Sequence, residues 1–313
     1  MLLFISPVVV IVLLSEIFLR NMDTTYTIKH EQLLASSRDI ELLIVGNSHA
    51  AYGLDPEQFS LQAFNLAEVG QSLYFDKRIT LKYIDRLNKL KYVLISVDFH
   101  SLYFSDQGNR NSWSYYGYGV SYKNAMPVSA KYSYLIGFKA QMLVEFARRA
   151  LDKKYNTVRA LDVESGATLH QPFAKGFLPL KDSITDLEVP QLNERAGFFN
   201  DMVHLSHERE EVIADLEDFI GELQKRKITP ILITLPVYTD LRDRLDKKVL
   251  EQNDADIRRV SDKYHVPYWD YFSMRLSSYY FYNADHLSKR GAAYVSAIVN
   301  KRMGELTGDQ AGK

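Results

Sequence analysis

The sequence predicts a three-layer α/β domain on a doubly wound parallel sheet of about five strands, preceded by an N-terminal membrane helix. Three features carry that reading: short apolar runs that mostly end in Gly, Asn, Ser or Asp, helical stretches spaced between them, and one long apolar run at the start. Residues 2–19 (LLFISPVVVIVLLSEIFL) hold a single charge, Glu16. As a helix this run is about 27 Å long, close to the thickness of a bilayer core. It has no basic segment before it and no small-residue cleavage site, and it leads into Arg20-Asn21-Met22. Residues 1–22 are therefore read as an uncleaved single-pass anchor rather than a removable signal peptide. The competing reading is a buried core helix, which Glu16 keeps open because a carboxylate is costly in lipid. Only Arg20 and Lys29 follow the run closely, so charge bias gives little on its orientation.

Residues 23–313 form the predicted α/β domain. After a polar, helix-compatible connector over 21–39, residues 40–45 (IELLIV) read as a buried parallel strand closed by Gly46-Asn47-Ser48. Residues 63–67 form a second strand leading to Gly70-Gln71-Ser72, and a helix is predicted over 73–90. The strand at 92–97 ends at Asp98. From about 101 to 199 the α/β rhythm is lost, with one clear helix over 134–151, and this stretch is predicted to be an insertion. Its cluster Trp113-Ser114-Tyr115-Tyr116-Gly117-Tyr118-Gly119 suits stacking on sugars, or packing on its own domain. The rhythm returns with a helix over 208–227, a strand at 230–235, a helix over 243–264, a short strand at 266–269 and a final helix over 288–303.

Composition removes several function classes. The chain of 313 residues is 46% hydrophobic, which supports a packed core and excludes a mainly disordered protein. Lys and Arg total 38 against 39 Asp and Glu, so there is no basic field to hold nucleic acid. With no Cys, disulfides, thiolate nucleophiles and Cys-ligated zinc are excluded, and a nucleophile must be a hydroxyl. No Gly-rich phosphate loop lies between a strand and a helix. His204 and His207, with Asp201, are spaced to share a helix face as metal ligands, but no carboxylate-rich motif accompanies them, so no metal and no other cofactor is expected.

A Ser at the carboxyl end of the first strand occupies the place where open α/β sheets put their ligand crevice. Ser48 and Asn47 also suit a helix cap. What favours chemistry is His286, in Asn283-Ala284-Asp285-His286-Leu287 before the last helix, since an alcohol becomes a useful nucleophile once an imidazole takes its proton. Asp98 and His100, at the end of the third strand, face the same crevice and read as satisfied structural groups.

Gly46-Asn47-Ser48, the stretch from Asn65 to Gly70, and Asn283 to Leu287 with Gly291 together resemble the SGNH (GDSL-like) hydrolase superfamily, in order and spacing across residues 40–303. The resemblance implies an SGNH/flavodoxin-like fold with Ser48 as nucleophile and His286 as base. It also makes the backbone N–H groups of Ser48 and Gly70 oxyanion donors. With the N-terminal anchor and the His-Leu ending, the chain looks most like extracytoplasmic proteins that work beside membrane-bound O-acyltransferases in envelope polysaccharide acylation. That likeness implies acyl transfer to a polysaccharide, with esterase activity or non-catalytic binding as alternatives. Two departures matter. Asn283 stands where the family has Asp, with Asp285 adjacent to His286 as a second candidate supporter, and the family's third-block Asn has no counterpart among Asp98-Phe99-His100. An Asn at 283 would accept the imidazole Nδ1–H through its amide oxygen without stabilising the imidazolium by charge.

Overall fold

The computed structural model describes residues 2–20, 23–124, 160–161, 168–169, 174–181 and 189–308; the helix predicted over 134–151 lies outside them. In chain order the elements are α1 (Leu2–Arg20), α2 (Thr25–Ser36), β1 (Leu42–Val45), α3 (Ser48–Gly53), β2 (Ala63–Asn65), α4 (Leu73–Tyr83), β3 (Tyr92–Ser96) and α5 (Asn111–Tyr118). Then follow β4 (Ala160–Leu161), β5 (Thr168–Leu169), α6 (Val189–Leu205), α7 (Arg209–Lys225), β6 (Thr229–Thr234), α8 (Thr239–Arg242), α9 (Lys247–Tyr264), β7 (Tyr268–Asp270) and α10 (Lys289–Thr307). The chain divides into two compact units, one of residues 1–31 with 106–172 and one of 32–105 with 173–313.

In the smaller unit, α1 carries Pro7, and its described apolar side chains from Val9 to Leu14 and at Ile17 are exposed. Glu16 is neutralised one turn on by Arg20, 2.7 Å away. Among the described residues no helix is long and apolar enough to cross a membrane; the side chains at 2–6, 8 and 18–19 of α1 fall outside that set. The aromatic cluster read as a loop forms α5, in which Trp113 and Tyr118 are buried and Tyr118 packs against Tyr26.

The larger unit holds a five-stranded sheet in the order β2-β1-β3-β6-β7, with every pair parallel. All four residues of β1 are fully buried, which explains why its sequence is a continuous apolar run rather than an alternation. Right-handed crossovers put α3 on one face and α4 on the other, because the chain leaves β1 toward β2 and then returns past it to β3. α7 packs on α4, β6 and α9, while α10 packs on α3. The apolar stripe of α7 is Val212, Ile213, Leu216, Phe219, Ile220 and Leu223, the spacing of a helix with one buried face.

The described residues 174–181 and 189–199, read from the sequence as insertion, fall in the sheet unit, where α6 buries Leu192, Ala196 and Phe199 against Phe99, Val237, Leu241, Leu245 and Ala284. The helix predicted over 73–90 stops at Tyr83, where a tight turn at Ile84–Arg86 directs Leu87 and Leu90 into the core. The helix predicted from 243 starts at Lys247, because the Asp246 carboxylate accepts from the N–H groups of Lys248 and Val249.

Candidate active site

Strand order reverses between β1 and β3, so the crevice of this sheet lies at their carboxyl ends. β1 leaves through Gly46, whose φ of +142° is closed to other residues in practice and whose missing Cβ would lie 2.5 Å from Ser96 Cβ. This close approach sets Asn47 and Ser48 directly beside the exit of β3. Asn47 caps α3, its Oδ1 accepting from His49 N–H at 2.9 Å. Its Nδ2 reaches across to Ser101 Oγ at 3.1 Å and His100 Nε2 at 3.2 Å.

His286 sits on the loop between β7 and α10. An isolated antiparallel bridge from Phe281 to Leu287 pins this loop, as does a bond from Tyr282 N–H to His286 O at 2.9 Å. Gly291 lets α10 start against it, as a Cβ there would lie 1.9 Å from Tyr280 O. The result brings His286 Nε2 to 2.8 Å from Ser48 Oγ. Ser48 is half-buried, and Tyr52 presents its ring edge-on to His286 at 5.1 Å.

Asn283 rather than Asp285 lies at His286 Nδ1, but by a different atom than expected. Asn283 Oδ1 is taken by the backbone N–H groups of His286, at 2.8 Å, and Asp285, at 3.2 Å. Its Nδ2 therefore faces Nδ1, at 3.1 Å. An amide donor there leaves the lone pair on Nδ1, so the neutral ring carries its proton on Nε2 and donates it to Ser48 Oγ. That is the opposite of the tautomer a general base needs. Burial, reinforced by the nearby His49 and Arg195 and opposed by Asp285, lowers the His286 pKa to about 4.

Asp285 lies on the other side of the ring, its Oδ2 at 3.6 Å from His286 Nε2. There it accepts a hydrogen bond from Arg195 Nη2, on α6. His49, the residue after Ser48, is buried between two carboxylates: Nδ1 is 3.3 Å from Asp98 Oδ1 and Nε2 is 3.9 Å from Asp285 Oδ2. Burial works against its charge, but Asp98 and then Asp285 prevail and raise its pKa to about 9. Asp98 also accepts from Ser96 Oγ at 2.9 Å, and despite burial His49 holds its pKa below the usual carboxylate value. Burial, with His49 adding, lowers His100 to about 3. His49 and Arg195 escaped the sequence reading. The only sequence signal was the adjacency of His49 to Ser48.

Of the other predicted groups, Gly70 has φ +65° in the turn after β2, which Glu68 N–H ties to Gly46 O at 3.1 Å. Asn65 is committed to structure: Nδ2 donates to Ala50 O and Leu54 O, and Oδ1 accepts from Ala67 N–H. The metal alternative at His204 and His207 fails in its geometry, since α6 ends at Leu205 before His207 and His204 pairs with Asp246 at 3.1 Å. His49, Asp285 and His286 bring ligand atoms within 4.8 Å of one another. Arg195 already occupies the carboxylate of that set, and His286 Nε2, which carries its proton toward Ser48 Oγ, has no lone pair to offer it. The arrangement thus favours a cationic side chain there over a metal ion.

These buried groups give folding stability a defined pH dependence. His286 and His100 stay neutral in the fold to about 4 and about 3, so each loses stability as pH falls below the ordinary 6.5. Asp76, raised by burial to about 7, keeps a proton in the fold and contributes stability that decays as pH rises through 7. His49 contributes fully below 6.5 and loses that contribution as pH climbs through about 9. Between roughly pH 5 and 6.5 the two neutral histidines outweigh Asp76, the unfolded chain binds more protons than the fold, and stability rises with pH. Above that range it falls. Denaturant midpoints measured across this span should peak near neutrality, and a monotonic rise to alkaline pH would contradict the assignment.

No family model and no curated protein sequence matches the chain. Among solved structures, a GDSL-like lipase from Bacteroides thetaiotaomicron aligns with 92% of this chain and 99% of its own, at 10% identity and a TM-score of 0.43. A lipase/acylhydrolase from Enterococcus faecalis aligns over 85% and 97%, at 11% identity and a TM-score of 0.39. A catalytic mutant of an acetylxylan esterase from Geobacillus stearothermophilus aligns over 85% and 94%, at 10% identity and a TM-score of 0.36. Overlap this loose leaves the fold to rest on the sheet order, and the site on the distances above.

Proposed function

We propose that this protein carries out acyl-ester chemistry at Ser48, as an O-acyltransferase acting on an envelope or extracellular polysaccharide. The observation that carries the reading is the 2.8 Å contact of Ser48 Oγ with His286 Nε2 at the switch point of the sheet. In the acylation step Ser48 Oγ bonds to the acyl carbon while its proton passes to His286, and the leaving oxygen takes that proton as the ester bond breaks. A sugar hydroxyl then attacks the acyl-serine as its proton passes to His286, and Ser48 Oγ takes that proton as its bond to the acyl carbon breaks, with backbone N–H groups of Ser48 and Gly70 as donors to the oxyanion. The polysaccharide acceptor, and a membrane-bound O-acyltransferase as supplier of the acyl group, come from the family resemblance. The Asn283 amide makes the base tautomer of His286 the minor one, so turnover is slow.

The test is to supply purified full-length protein with a small acetyl ester, with and without an oligosaccharide. Acetyl groups on sugar support transfer, and release to water alone makes the protein an esterase. A second reading, a non-catalytic polysaccharide-binding or assembly subunit, draws on the same Asn283 contact. It gains if a fluorophosphonate fails to label Ser48 while the glycan still binds.

The exposed apolar side chains of α1 support residues 1–22 as the anchor that keeps this domain at an extracytoplasmic membrane face. Full-length protein should sediment with membranes and a chain starting at residue 23 should not. Equal sedimentation of both would overturn the anchor.

A further inference from the structure

We propose that His49 is a positioning residue of the Ser48–His286 site, an imidazolium clamped between Asp98 and Asp285 that holds both carboxylates in place and puts positive charge on the buried side of the His286 ring. The inference rests on the proposed acyl chemistry only for its kinetic consequence; the charge state of His49 stands on the packing.

The packing argument is one of charge balance. Asp98 and Asp285 are each about 1% exposed in their side chains, and an isolated carboxylate that far from water is not sustained. Arg195 answers Asp285. Among the described residues, the cation that answers Asp98 is His49, at 3.3 Å. Nδ1 faces Asp98 and Nε2 faces Asp285, so only the doubly protonated ring turns an N–H toward each carboxylate. The other titratable groups around it do not supply a cation. His100, after β3, is driven neutral by burial and by His49 itself, and Asp76 on α4, which feels the charge of Asp98, is raised toward its protonated form by burial. The raised pKa of His49, about 9, agrees with this balance.

The consequence falls on His286, whose ring stands edge-on to His49 with centroids 5.5 Å apart. A cation at that distance disfavours imidazolium, so His49 works with Arg195 to keep His286 unprotonated in mildly acidic surroundings. Asp285, gripped by Arg195 on one side and drawn by His49 on the other, is thereby fixed beside His286 Nε2.

Two measurements on the full-length protein test this. With ¹⁵N-histidine labelling, the ring of His49, identified by its loss in His49→Gln, should show the imidazolium pattern at pH 8 and turn neutral at that pH in Asp98→Asn. A neutral His49 ring at pH 7 in the wild type would overturn the proposal whether or not any variant folds. The rate of fluorophosphonate labelling of Ser48 against pH should show an acid limb near 4 in the wild type, moved up by about one pH unit in His49→Gln. An unmoved limb in folded His49→Gln would also overturn it. If Ser48 is never labelled, in the wild type or in Asn283→Asp, the acyl-ester function fails instead, and the resonance measurement still decides His49.

Discussion

Asn283→Asp is expected to accelerate ester turnover at Ser48 by at least about 10²-fold, toward the roughly 10⁴-fold that separates correct from incorrect tautomer in the serine-protease triad. The reason lies in which atom faces the ring. With Oδ1 of residue 283 held by the backbone N–H groups of Asp285 and His286, the remaining side-chain atom at Nδ1 is a donor in Asn and an acceptor in Asp. The carboxylate would take the Nδ1 proton, free the Nε2 lone pair for Ser48, and raise His286 from its present value of about 4 toward the working pH. Backbone geometry need not change, because the same two N–H bonds anchor either side chain. Rates for wild type, Asn283→Asp and Asp285→Asn with one acetyl ester decide the matter. A large loss in Asp285→Asn beside an indifferent Asn283→Asp would move the supporting role to Asp285.

Ser48→Ala should abolish turnover, with a loss of at least about 10⁴-fold measured in the faster Asn283→Asp background, where the signal is well above uncatalysed hydrolysis. The change removes one half-buried hydroxyl and the hydrogen bond it receives from His286 Nε2. Stability should therefore drop by no more than about 1.5 kcal/mol. Activity within tenfold of the parent, with an unchanged melting temperature, would exclude Ser48 as nucleophile. The paired stability measurement is what separates a lost nucleophile from a collapsed elbow, since Ser48 is also the first residue of α3.

The strands were legible because their burial is written locally: a segment packed on both faces, such as Leu42–Val45, can only be apolar. Ser48 and His286 were legible because turn and loop residues of those types, after a first strand and before a last helix, have few roles. What escaped was everything defined by distant partners. His49 acquires its meaning from Asp98 and Asp285, and Arg195 from the chain fold that carries α6 back to the sheet, in a stretch whose periodicity read as insertion. The outcome at Asn283 was half legible. The family resemblance offered it beside Asp285 as a supporter of the imidazole, but the choice between oxygen and nitrogen is made by two backbone N–H groups whose positions exist only once Phe281 and Leu287 have paired.

The Gly46 turn leaves no clearance against Ser96, and Glu68 N–H fastens the exit of β2 to the same turn. The three strand exits therefore act as a fixed anvil, on which Ser48, Gly70 and Asp98 cannot slide past one another. The facing side of the site is held differently: Arg195 on α6 grips Asp285 with a side chain that is 36% exposed. Because that ion pair is partly wetted, dissolved salt weakens it first, while the dry His49–Asp98 pair behind it keeps its strength.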